Sequence, residues 1–599
     1  MTSSSHPEGA RAAGGHSIGR LVCMFAIAYA VGLALIYLDL SDGQGTLHDV
    51  DDQMRQLQIQ HFLFGGASWW DLGLPKISMP EAYISPWSRL VDAPYILISL
   101  LLAPIVGAHA AFSLSLLVWP PLMMAIFCLQ IVSIHRSLGF SASIWGYLIT
   151  AAATFCSYFA IWEFAPGRID HHNLQILVLM TMLIGLLRWD RRGGLLIGLG
   201  ALMSLAIALE GLPFIVIIFA GLVIAFLCAC DGASDVVKWA SGTMVLLSLP
   251  LALVLLGPAG LASTQCDAFS APYIFLVMGF CSVLWAATVL PYRNPWGLLF
   301  GMAAASVVLL VVFAKAFPQC LQGPYWMIDP VSKTYWFDRI SQEHSILYYL
   351  DLGQVGAAQL MAFFLAVLVL AMPVVLVRRE RDRVGVLILM AVALFSLIAT
   401  VLLTRYMRFA FAFIPLFLPM AVRFFVDDGR RMSVMLRYSV MIAVLVCISV
   451  PQLFRFWPVK GDQFDAADYI GSDKCQGGDF SPLQAVAPGR IMATHVLGSY
   501  LALSLPDGFS VAAVPFHRAS PGMRRMFEAF LTSDPAVRRE ALAPFDYLAA
   551  CRFPLKTDIG TAPLYDTVSA GGDWPGLIRL PSDPANPFQL FRIDHATLR

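Results

Sequence analysis

Long apolar stretches separated by short polar connections fill the first 455 residues of the chain. A helix needs about 20 mostly apolar residues to cross a bilayer. The shorter apolar piece Ala93–Val106 contains two prolines, and we expect an interfacial or re-entrant helix there, because counting it as a span would invert the orientation of everything after it. Thirteen other stretches predict membrane-spanning helices: 18–40, 109–133, 141–162, 173–188, 194–209, 212–230, 239–257, 272–290, 296–316, 355–377, 384–404, 409–426 and 437–455.

The pattern changes after residue 456, where short β-rich runs alternate with one longer helical pattern. Such alternation is typical of an α/β domain. The predicted fold class is therefore a polytopic α-helical membrane protein of about 13 transmembrane helices, with a C-terminal extracytoplasmic α/β domain. The predicted elements are a strand followed by a turn in Gly489–Leu501, a strand in Phe509–Phe516, a helix in Ser520–Leu542 and a strand in Phe545–Cys551.

Composition agrees with this class. The chain has 599 residues, of which 58% are hydrophobic and 13% are charged, and its mean hydropathy is +0.72. These values exclude an ordinary soluble enzyme. The formal net charge of +0 provides no general positive field, so we expect no nucleic-acid partner.

The basic residues predict the orientation in the membrane, because short cytoplasmic loops carry an excess of Lys and Arg. With residues 1–17 as a cytoplasmic tail and 18–455 as the membrane domain, outer loops fall at 41–92, 163–172 and 317–354, and residues 456–599 lie outside. We therefore expect a protein of the inner (plasma) membrane with a periplasmic C-terminal domain. The basic residues that fall inside are Arg11, Arg20, Arg136, Arg188, Arg191, Arg192, Lys238, Arg293, Arg378, Arg379, Arg381, Arg383, Arg430, Arg431 and Arg437.

Four of the eleven cysteines lie in predicted outer segments. An oxidising compartment favours disulfides between them. We expect the pairs Cys475–Cys551 and Cys266–Cys320, with four free thiols as the alternative.

The same orientation places an unusual set of polar residues at the outer face. Ionisable groups at the end of a span are costly unless they face a cavity, an ion or a partner. Carboxylates and imidazoles are ligands for Mg²⁺ or Mn²⁺, and Arg can hold a phosphate through two parallel hydrogen bonds. This combination suits glycosyl transfer from a lipid-linked donor, whose phosphate leaving group needs charge neutralisation. The residues are Asp49, Asp51, Asp52, Arg55, Arg89, Asp170, His171, His172, Glu210, Glu343, Arg405 and Arg408.

Two short motifs resemble those of the catalytic subunit of oligosaccharyltransferases, within the GT-C class of membrane glycosyltransferases. Asp49 is followed six residues later by Arg55, as in the first outer loop of that family. The run Gly167-Arg168-Ile169-Asp170-His171-His172 matches the Asp-x-His form of its second motif. The resemblance implies a GT-C-like membrane domain and a divalent cation held by Asp49, Asp170 and His172.

The resemblance also implies further roles. Glu343 stands where the family has a short motif that ends in Glu, although the usual first Ser or Thr of that motif is missing here. Asp49 and Glu343 are the expected catalytic carboxylates. Arg408-Phe409 resembles the pair that binds lipid phosphate, and we expect Arg405 nearby. His517 and Arg518 could reach an anionic substrate, or could be a solvated loop pair.

The acceptor differs from that of the family. Oligosaccharyltransferases recognise a peptide with Trp-Trp-Asp in the C-terminal domain, whereas this chain has Trp69-Trp70-Asp71 in the first outer loop. We therefore favour an extracytoplasmic lipid, glycan or other envelope acceptor, and keep a protein acceptor as the alternative. The expected partners are a lipid-linked sugar donor, membrane lipids and this acceptor.

Simpler readings remain for several residues. Asp170 could cap the next helix with help from Asn173, one of the two histidines could be outside the ligand set, and Asp51 and Asp52 could only solvate their loop. A transporter of an envelope lipid or glycan is the alternative from another class, but transporters usually carry their charges near the midplane of the membrane. A non-catalytic scaffold for polymer assembly would not need Asp49, Asp170 and His172 together.

Overall fold

The computed structural model describes residues 9–41, 49–140, 143–290, 294–377, 380–426, 433–460, 465–472, 474–552 and 562–599. Residues 1–8 of the predicted tail, Arg293, Arg378, Arg379, Arg430 and Arg431 lie outside these ranges. The chain divides into two units. The first consists of Met1–Leu47, Ala93–Pro318 and His344–Lys460, and the second of His48–Asp92, Gln319–Glu343 and Gly461–Arg599.

Helices dominate the described residues. The first twelve are α1 Gly9–Ser41, α2 Val50–Phe64, α3 Asp92–Val106, α4 Ala108–Ser137, α5 Ile144–Cys156, α6 Tyr158–Trp162, α7 His172–Arg188, α8 Arg191–Ile207, α9 Leu212–Leu227, α10 Ala233–Leu261, α11 Ala271–Val289 and α12 Pro295–Ala316. The others are α13 Pro330–Tyr335, α14 Ile346–Asp351, α15 Gly356–Leu376, α16 Glu380–Leu402, α17 Met407–Phe413, α18 Leu418–Val426, α19 Val434–Leu453, α20 Ala466–Ser472, α21 His495–Ser504, α22 Ser520–Leu531, α23 Pro535–Leu542 and α24 Pro563–Ser569.

The strands are β1 Gly73–Ser78, β2 Ala82–Ile84, β3 Arg490–Ala493, β4 Ser510–Val511, β5 Tyr547–Cys551, β6 Leu577–Arg579 and β7 Phe588–Ile593.

Ten helices of the described residues are long and apolar enough to cross a membrane, which makes the chain a multi-pass membrane protein. Every predicted span coincides with a helix or with helices in series. The stretch 141–162 is two helices, α5 and α6, and the stretch 409–426 is α17 and α18 with a 3-10 turn between them. The stretches 173–188 and 194–209 are the 17-residue helices α7 and α8.

Glycines let α7, α8 and α10 approach one another closely. A Cβ atom on Gly185 of α7 would lie 2.6 Å from the Gly193 carbonyl oxygen, and one on Gly198 of α8 would lie 2.4 Å from the Ala240 carbonyl oxygen. Small residues at helix contacts are typical of membrane proteins, in which tight packing takes over part of the role of the hydrophobic effect. This packing fixes α7, whose first residue is His172.

The second unit contains a seven-stranded sheet with the order β2-β1-β4-β3-β5-β7-β6. Strands β1, β4, β3 and β5 are parallel to their neighbours in that series, while β2, β7 and β6 pair antiparallel. Side chains alternate across the sheet. Ile491 and Ala549 belong to the core on one face, and Met492 and Leu548 belong to the core on the other. The second unit is therefore a three-layer α/β fold.

Several sequence predictions for this unit were correct and others were wrong. The helix expected in Ser520–Leu542 is α22 and α23, and the strand expected in Phe545–Cys551 is β5. The turn expected at the end of Gly489–Leu501 is wrong, because helix α21 follows β3 directly. The strand expected in Phe509–Phe516 shrinks to the two residues of β4.

The first outer loop contributes more to the second unit than its sequence suggested. Strands β1 and β2 form one end of the sheet, and β1 pairs with β4, which lies more than 400 residues later. Helix α2 packs on α21, with Met54 and Leu57 in the core of that face. A single-sequence reading cannot see such pairing, because the hydrophobic pattern of a short strand does not reveal its partner.

Cys475 and Cys551 form a disulfide in the second unit, as expected from their compartment, and their Cα atoms are 5.5 Å apart. Cys266 belongs to the first unit and Cys320 to the second, and their pairing stays a prediction.

Candidate functional site

The segment between α6 and α7 is fixed by backbone contacts before it reaches the acidic and imidazole residues. Gly167 has φ of +86°, a left-handed conformation that favours glycine. Its N–H donates to the carbonyl of Leu116 in α4 at 2.9 Å, and the Arg168 N–H donates to the Ala165 carbonyl at 3.0 Å. The turn therefore delivers Asp170 and the two histidines to the start of α7 in a defined orientation.

Asp170 contacts both histidines. Its Oδ1 lies 2.5 Å from His171 Nδ1, and its Oδ2 lies 3.0 Å from His172 Nε2. All three residues are buried, with 1% of Asp170, 7% of His171 and 3% of His172 exposed. Helix α7 begins at His172 with His171 in the N-cap position and no side-chain capping bond. Asp170 Oδ1 also accepts the His171 N–H at 2.5 Å, so the capping alternative for Asp170 stays open beside its contacts with the two histidines.

Glu210 approaches the same cluster from the short 3-10 turn Leu209–Gly211, between α8 and α9. Its Oε2 lies 2.9 Å from His172 Nδ1 and 3.9 Å from His171 Nε2. Its Oε1 lies 3.4 Å from Arg405 Nε. The structure thus brings five of the sequence candidates together in the first unit: Asp170, His171, His172, Glu210 and Arg405.

A second set of ion pairs surrounds Glu163. Arg168 Nη2 donates to Glu163 Oε2 at 2.9 Å, and Arg408 Nη1 lies 3.4 Å from Glu163 Oε1. Arg408 is 4% exposed. Glu163 and Arg168 were not among the sequence candidates. Their positions beside the Gly-x-x-Asp motif, at the end of an apolar stretch, were the signal that could have identified them.

The charges of this cluster act on the two loop carboxylates. Burial by itself raises the pKa of Asp170, but the neighbouring His171, Arg168 and Arg408 outweigh it and hold that pKa below its ordinary value. Burial also opposes the charge on Glu163, and Arg408 and Arg168 together lower its pKa. Both groups are therefore carboxylates at neutral pH, as metal ligation or cation pairing requires.

The donor atoms of the cluster fit a divalent cation. Asp170, His171 and His172 each offer one ligand atom, and these atoms lie within 4.8 Å of one another. One carboxylate oxygen and two imidazole nitrogens suit Mn²⁺, Zn²⁺ or Fe²⁺ better than Mg²⁺, which prefers oxygen ligands. The ligand atoms of Asp170, His171 and His172 are therefore of the right type and close enough together to bind a divalent metal ion.

The remaining sequence candidates belong to the second unit. Asp49 is the N-cap residue of α2, and Asp51 and Asp52 lie in the first turn of that helix. Glu343 ends the 3-10 turn Ser341–Glu343 and is partly exposed. The roles of these four residues stay predictions.

Arg55 and Arg89 are fully buried and hold the first loop together. Arg55 Nη1 donates to Asp92 Oδ1 at 2.7 Å. Arg89 donates to the carbonyls of Trp69 and Asp71 at 2.9 and 2.6 Å, and also to Asp92 at 3.4 Å. These contacts favour a structural role for both arginines.

His517 and Arg518 precede α22. The His517 ring lies 5.5 Å from Tyr325 and 4.5 Å from Phe516, centre to centre. Arg518 donates to the Ile84 carbonyl at 3.1 Å. Both side chains therefore have contacts inside the second unit. These contacts favour the structural interpretation over an anion-binding site.

No family model and no curated protein matches the sequence. Solved structures do match. One is the archaeal oligosaccharyltransferase AglB from Archaeoglobus fulgidus in complex with an inhibitory peptide and a dolichol-phosphate, at 13% identity and TM-score 0.60, covering 96% of this chain and 74% of that chain. The Archaeoglobus fulgidus oligosaccharyltransferase in the apo form matches at 14% identity and TM-score 0.59, with the same coverage.

A third structure is the same organism's oligosaccharyltransferase in complex with Zn and sulfate, at 14% identity and TM-score 0.54, covering 95% of this chain and 73% of that chain. At these identities the likeness concerns the fold. The chain has the GT-C-type fold of oligosaccharyltransferases, a helical membrane part joined to an α/β part.

Proposed function

We propose that the protein is an integral-membrane glycosyltransferase. It moves a sugar or an oligosaccharide from a polyprenyl-(pyro)phosphate donor to an extracytoplasmic lipid, glycan or other envelope acceptor, with help from a divalent cation. The observation that carries the proposal is the buried cluster of Asp170, His171 and His172, with Arg408 in the adjoining ion-pair set. The fold shared with oligosaccharyltransferases supports the same reaction class.

The reaction breaks the bond between the anomeric carbon and the phosphate oxygen, and forms a bond from that carbon to an acceptor atom. A bound divalent cation would supply Lewis acidity toward the departing phosphate. Asp170, His171 and His172 would hold the ion. Arg408 would exchange part of its contact with Glu163 for the phosphate. The acceptor proton would go to a carboxylate, and Asp49 and Glu343, the two catalytic carboxylates that the resemblance implies, are the candidates.

The choice of ion follows from the ligands. Two imidazoles beside one carboxylate favour Mn²⁺ over Mg²⁺. A related oligosaccharyltransferase has been crystallised with Zn and sulfate, which supports a divalent cation in proteins of this fold.

A protein acceptor is the second candidate. The dolichol-phosphate and the inhibitory peptide bound to the Archaeoglobus protein favour it. The absence of Trp-Trp-Asp from residues 456–599 speaks against it. The location we propose is the inner membrane, with the second unit on the periplasmic side.

The test uses the purified full chain in lipid nanodiscs with a radiolabelled polyprenyl-pyrophosphate glycan and candidate acceptors. We expect Mn²⁺-dependent release of the polyprenyl pyrophosphate product, and loss of that release with EDTA. Vesicles that contain the protein and move the intact donor across the bilayer, without cleaving it, would instead identify a transporter.

A further inference from the structure

Both the side chain of Glu210 and the backbone turn that carries it pack against α7. It sits in the turn Leu209–Gly211, and the next residue, Gly211, is buried against Gln175 of α7 and Ser204 of α8. A Cβ atom on Gly211 would lie 1.9 Å from the Gln175 side-chain amide and 2.2 Å from Ser204 Oγ. Only glycine therefore allows the turn to come this close to α7.

Gln175 and His172 are three residues apart and so lie on the same face of α7. Gln175 is fully buried, and its side-chain amide contacts Ser204 Oγ at 2.7 Å. The amide orientation that satisfies all its neighbours has the oxygen accepting from the Gly211 N–H at 3.1 Å. The turn is thus attached to one helix face at two adjacent points, Gly211 to Gln175 and Glu210 to His172.

The imidazole of His172 lies between two carboxylates. Its Nδ1 is 2.9 Å from Glu210 Oε2, and its Nε2 is 3.0 Å from Asp170 Oδ2. Nδ1 and Glu210 Oε2 lie within hydrogen-bond distance but are not aligned for a hydrogen bond in this structure. When the ring turns so that an Nδ1–H points at Glu210, the lone pair of the ring is on Nε2, on the side of Asp170. Histidines that ligate metals commonly donate their other N–H to a carboxylate in this way, which fixes the tautomer and the ring orientation.

Glu210 in turn has a cationic neighbour. Arg405 Nε lies 3.4 Å from Glu210 Oε1, on the oxygen that does not face His172. Glu210 is 7% exposed at its side chain and Arg405 is 24% exposed. A buried carboxylate needs such a partner to stay charged.

We propose that Glu210 is a positioning residue that directs His172 Nε2 to the cation, and that Arg405 serves Glu210 rather than the donor phosphate. This inference rests on the proposed metal site, but not on the identity of the donor or the acceptor. Glu210 then touches no ligand atom of the ion and acts through His172.

The direct test measures Mn²⁺ affinity of the detergent-purified full chain by isothermal titration calorimetry, with no donor present. Loss of a carboxylate behind a metal-bound histidine typically weakens affinity about 10–100-fold. We expect that loss for Glu210→Ala, and a smaller one for Glu210→Gln, because the Gln oxygen can still accept from Nδ1. The control Glu528→Gln removes a carboxylate that pairs with Arg524 on α22, and should leave the affinity unchanged.

A double substitution separates positioning from direct ligation. If Glu210 acts only through His172, the variant His172→Ala/Glu210→Ala binds Mn²⁺ as weakly as His172→Ala alone. A further loss of tenfold or more in the double variant would make Glu210 a ligand in its own right and would overturn the inference.

Gly211→Ala provides a variant that removes no polar group. The backbone of Gly211 has φ of −75°, so alanine is compatible with its conformation, but the methyl group must push the turn away from Gln175. We expect weaker Mn²⁺ binding, by about tenfold if the Glu210–His172 contact is lost. Unchanged Mn²⁺ affinity in Glu210→Ala and in Gly211→Ala would refute the positioning role, even if both variants were less stable.

The outcomes also separate this inference from the proposed function. If the wild-type chain binds no Mn²⁺ but still cleaves a lipid-linked donor, the positioning role is wrong and the transferase proposal stands without metal. If Mn²⁺ binding depends on Glu210 as expected but no donor is cleaved, the positioning role stands and the transferase proposal fails.

Discussion

Arg408 combines deep burial with an ion pair at the end of an apolar helix. Its Nη1 lies 3.4 Å from Glu163 Oε1, and Glu163 already pairs with Arg168 at 2.9 Å. Glu163 would thus keep one cationic partner, Arg168, if Arg408 turned toward the phosphate of the proposed donor. This arrangement permits an exchange without leaving a carboxylate unpaired, which would be costly in a buried site.

The prediction at this scale concerns donor affinity. Arg408→Ala should weaken binding of a short-chain polyprenyl phosphate by roughly ten- to a hundredfold, because a hydrogen bond to a charged group contributes about 1.5–3 kcal/mol. Arg408→Lys should lie between the wild type and Arg408→Ala, since Lys retains the charge and loses the planar fork. Microscale thermophoresis in detergent gives the dissociation constants.

Arg423 is the matched control, since it belongs to the same candidate span, Thr404–Val426. It donates to the Gly139 carbonyl at 3.1 Å and lies over the Phe140 ring. Arg423→Ala should bind the polyprenyl phosphate as the wild type does. Equal losses in both variants would show a general effect of positive charge, and no loss in Arg408→Ala would place the phosphate elsewhere.

Sequence reasoning at the residue scale succeeded where charges stood out from an apolar background. Ionisable residues at span ends are costly unless they face a cavity, an ion or a partner. This cost identified Asp170, His171, His172 and Glu210 as candidates. The ion pair of Glu163 with Arg408 joins positions 245 residues apart. No local pattern reveals such a pair.

The disulfide Cys475–Cys551 ties the end of strand β5 to the segment before β3, across 76 residues of sequence. Cys551 is 1% exposed and Cys475 is 7% exposed, within the core of one sheet face. A cross-link over a loop of this length restricts the unfolded chain strongly.

Replacing both cysteines with serine should therefore destabilise the second unit by about 2–4 kcal/mol. For a unit of roughly 200 residues each kcal/mol corresponds to about 2–4 °C, so calorimetry of the full chain should show its transition lowered by several degrees. Cys23→Ser, which alters an exposed free cysteine of α1, is the control. Both thiols free in mass spectrometry under non-reducing conditions would contradict the bridge.

Helices and strands differ in how far the sequence predicted them. The helices of the membrane part follow from apolar stretches of the right length, so their existence was predictable, although α5 and α6 were read as one. Strand β1 was missed because its partner β4 comes from the far end of the chain, and β2 was missed with it because β2 pairs with β1. Helix α21 was read as a turn because its ten residues are too short for a clear period.

The whole molecule has an orientation that its basic residues predict. Arg188, Arg191 and Arg192 lie at the ends of α7 and α8, opposite to the end that carries His172. The positive-inside rule puts those arginines in the cytoplasm and the Asp170 cluster outside.

Impermeant thiol labelling of intact cells tests this orientation. Lys333→Cys, in α13 of the second unit, and Arg192→Cys, in the first turn of α8, are both exposed positions. We expect labelling from outside at position 333 and no labelling at position 192 until the membrane is opened. The unmodified chain corrects for its own free cysteines. The reverse pattern would invert the topology and remove the candidate site from the extracytoplasmic side.

The fold class was within reach of the sequence, whereas the arrangement of the second unit was not. Apolar length and two short motifs predicted a GT-C-type membrane protein, and the likeness to oligosaccharyltransferase structures confirms that fold. The division of residues 48–92 between a helix and two strands of the sheet depends on contacts between distant segments. Those contacts are set by packing, which no local period encodes.

The central claim is that the buried carboxylate between two histidines is essential for transfer from a lipid-linked donor. It is tested most directly by the same substitution at the two ends of α7, Asp170→Asn and Asp190→Asn. Asp190 is the N-cap residue of α8 and accepts the Gly193 N–H at 2.7 Å, and Asn can also cap a helix.

Release of polyprenyl pyrophosphate from the radiolabelled donor, with Mn²⁺ present, should fall by at least about a hundredfold in Asp170→Asn, since a charged ligand at the reacting phosphate is lost. Asp190→Asn should retain the activity of the wild type, and both variants should elute as folded protein in detergent. Full activity in a folded Asp170→Asn variant would contradict the account.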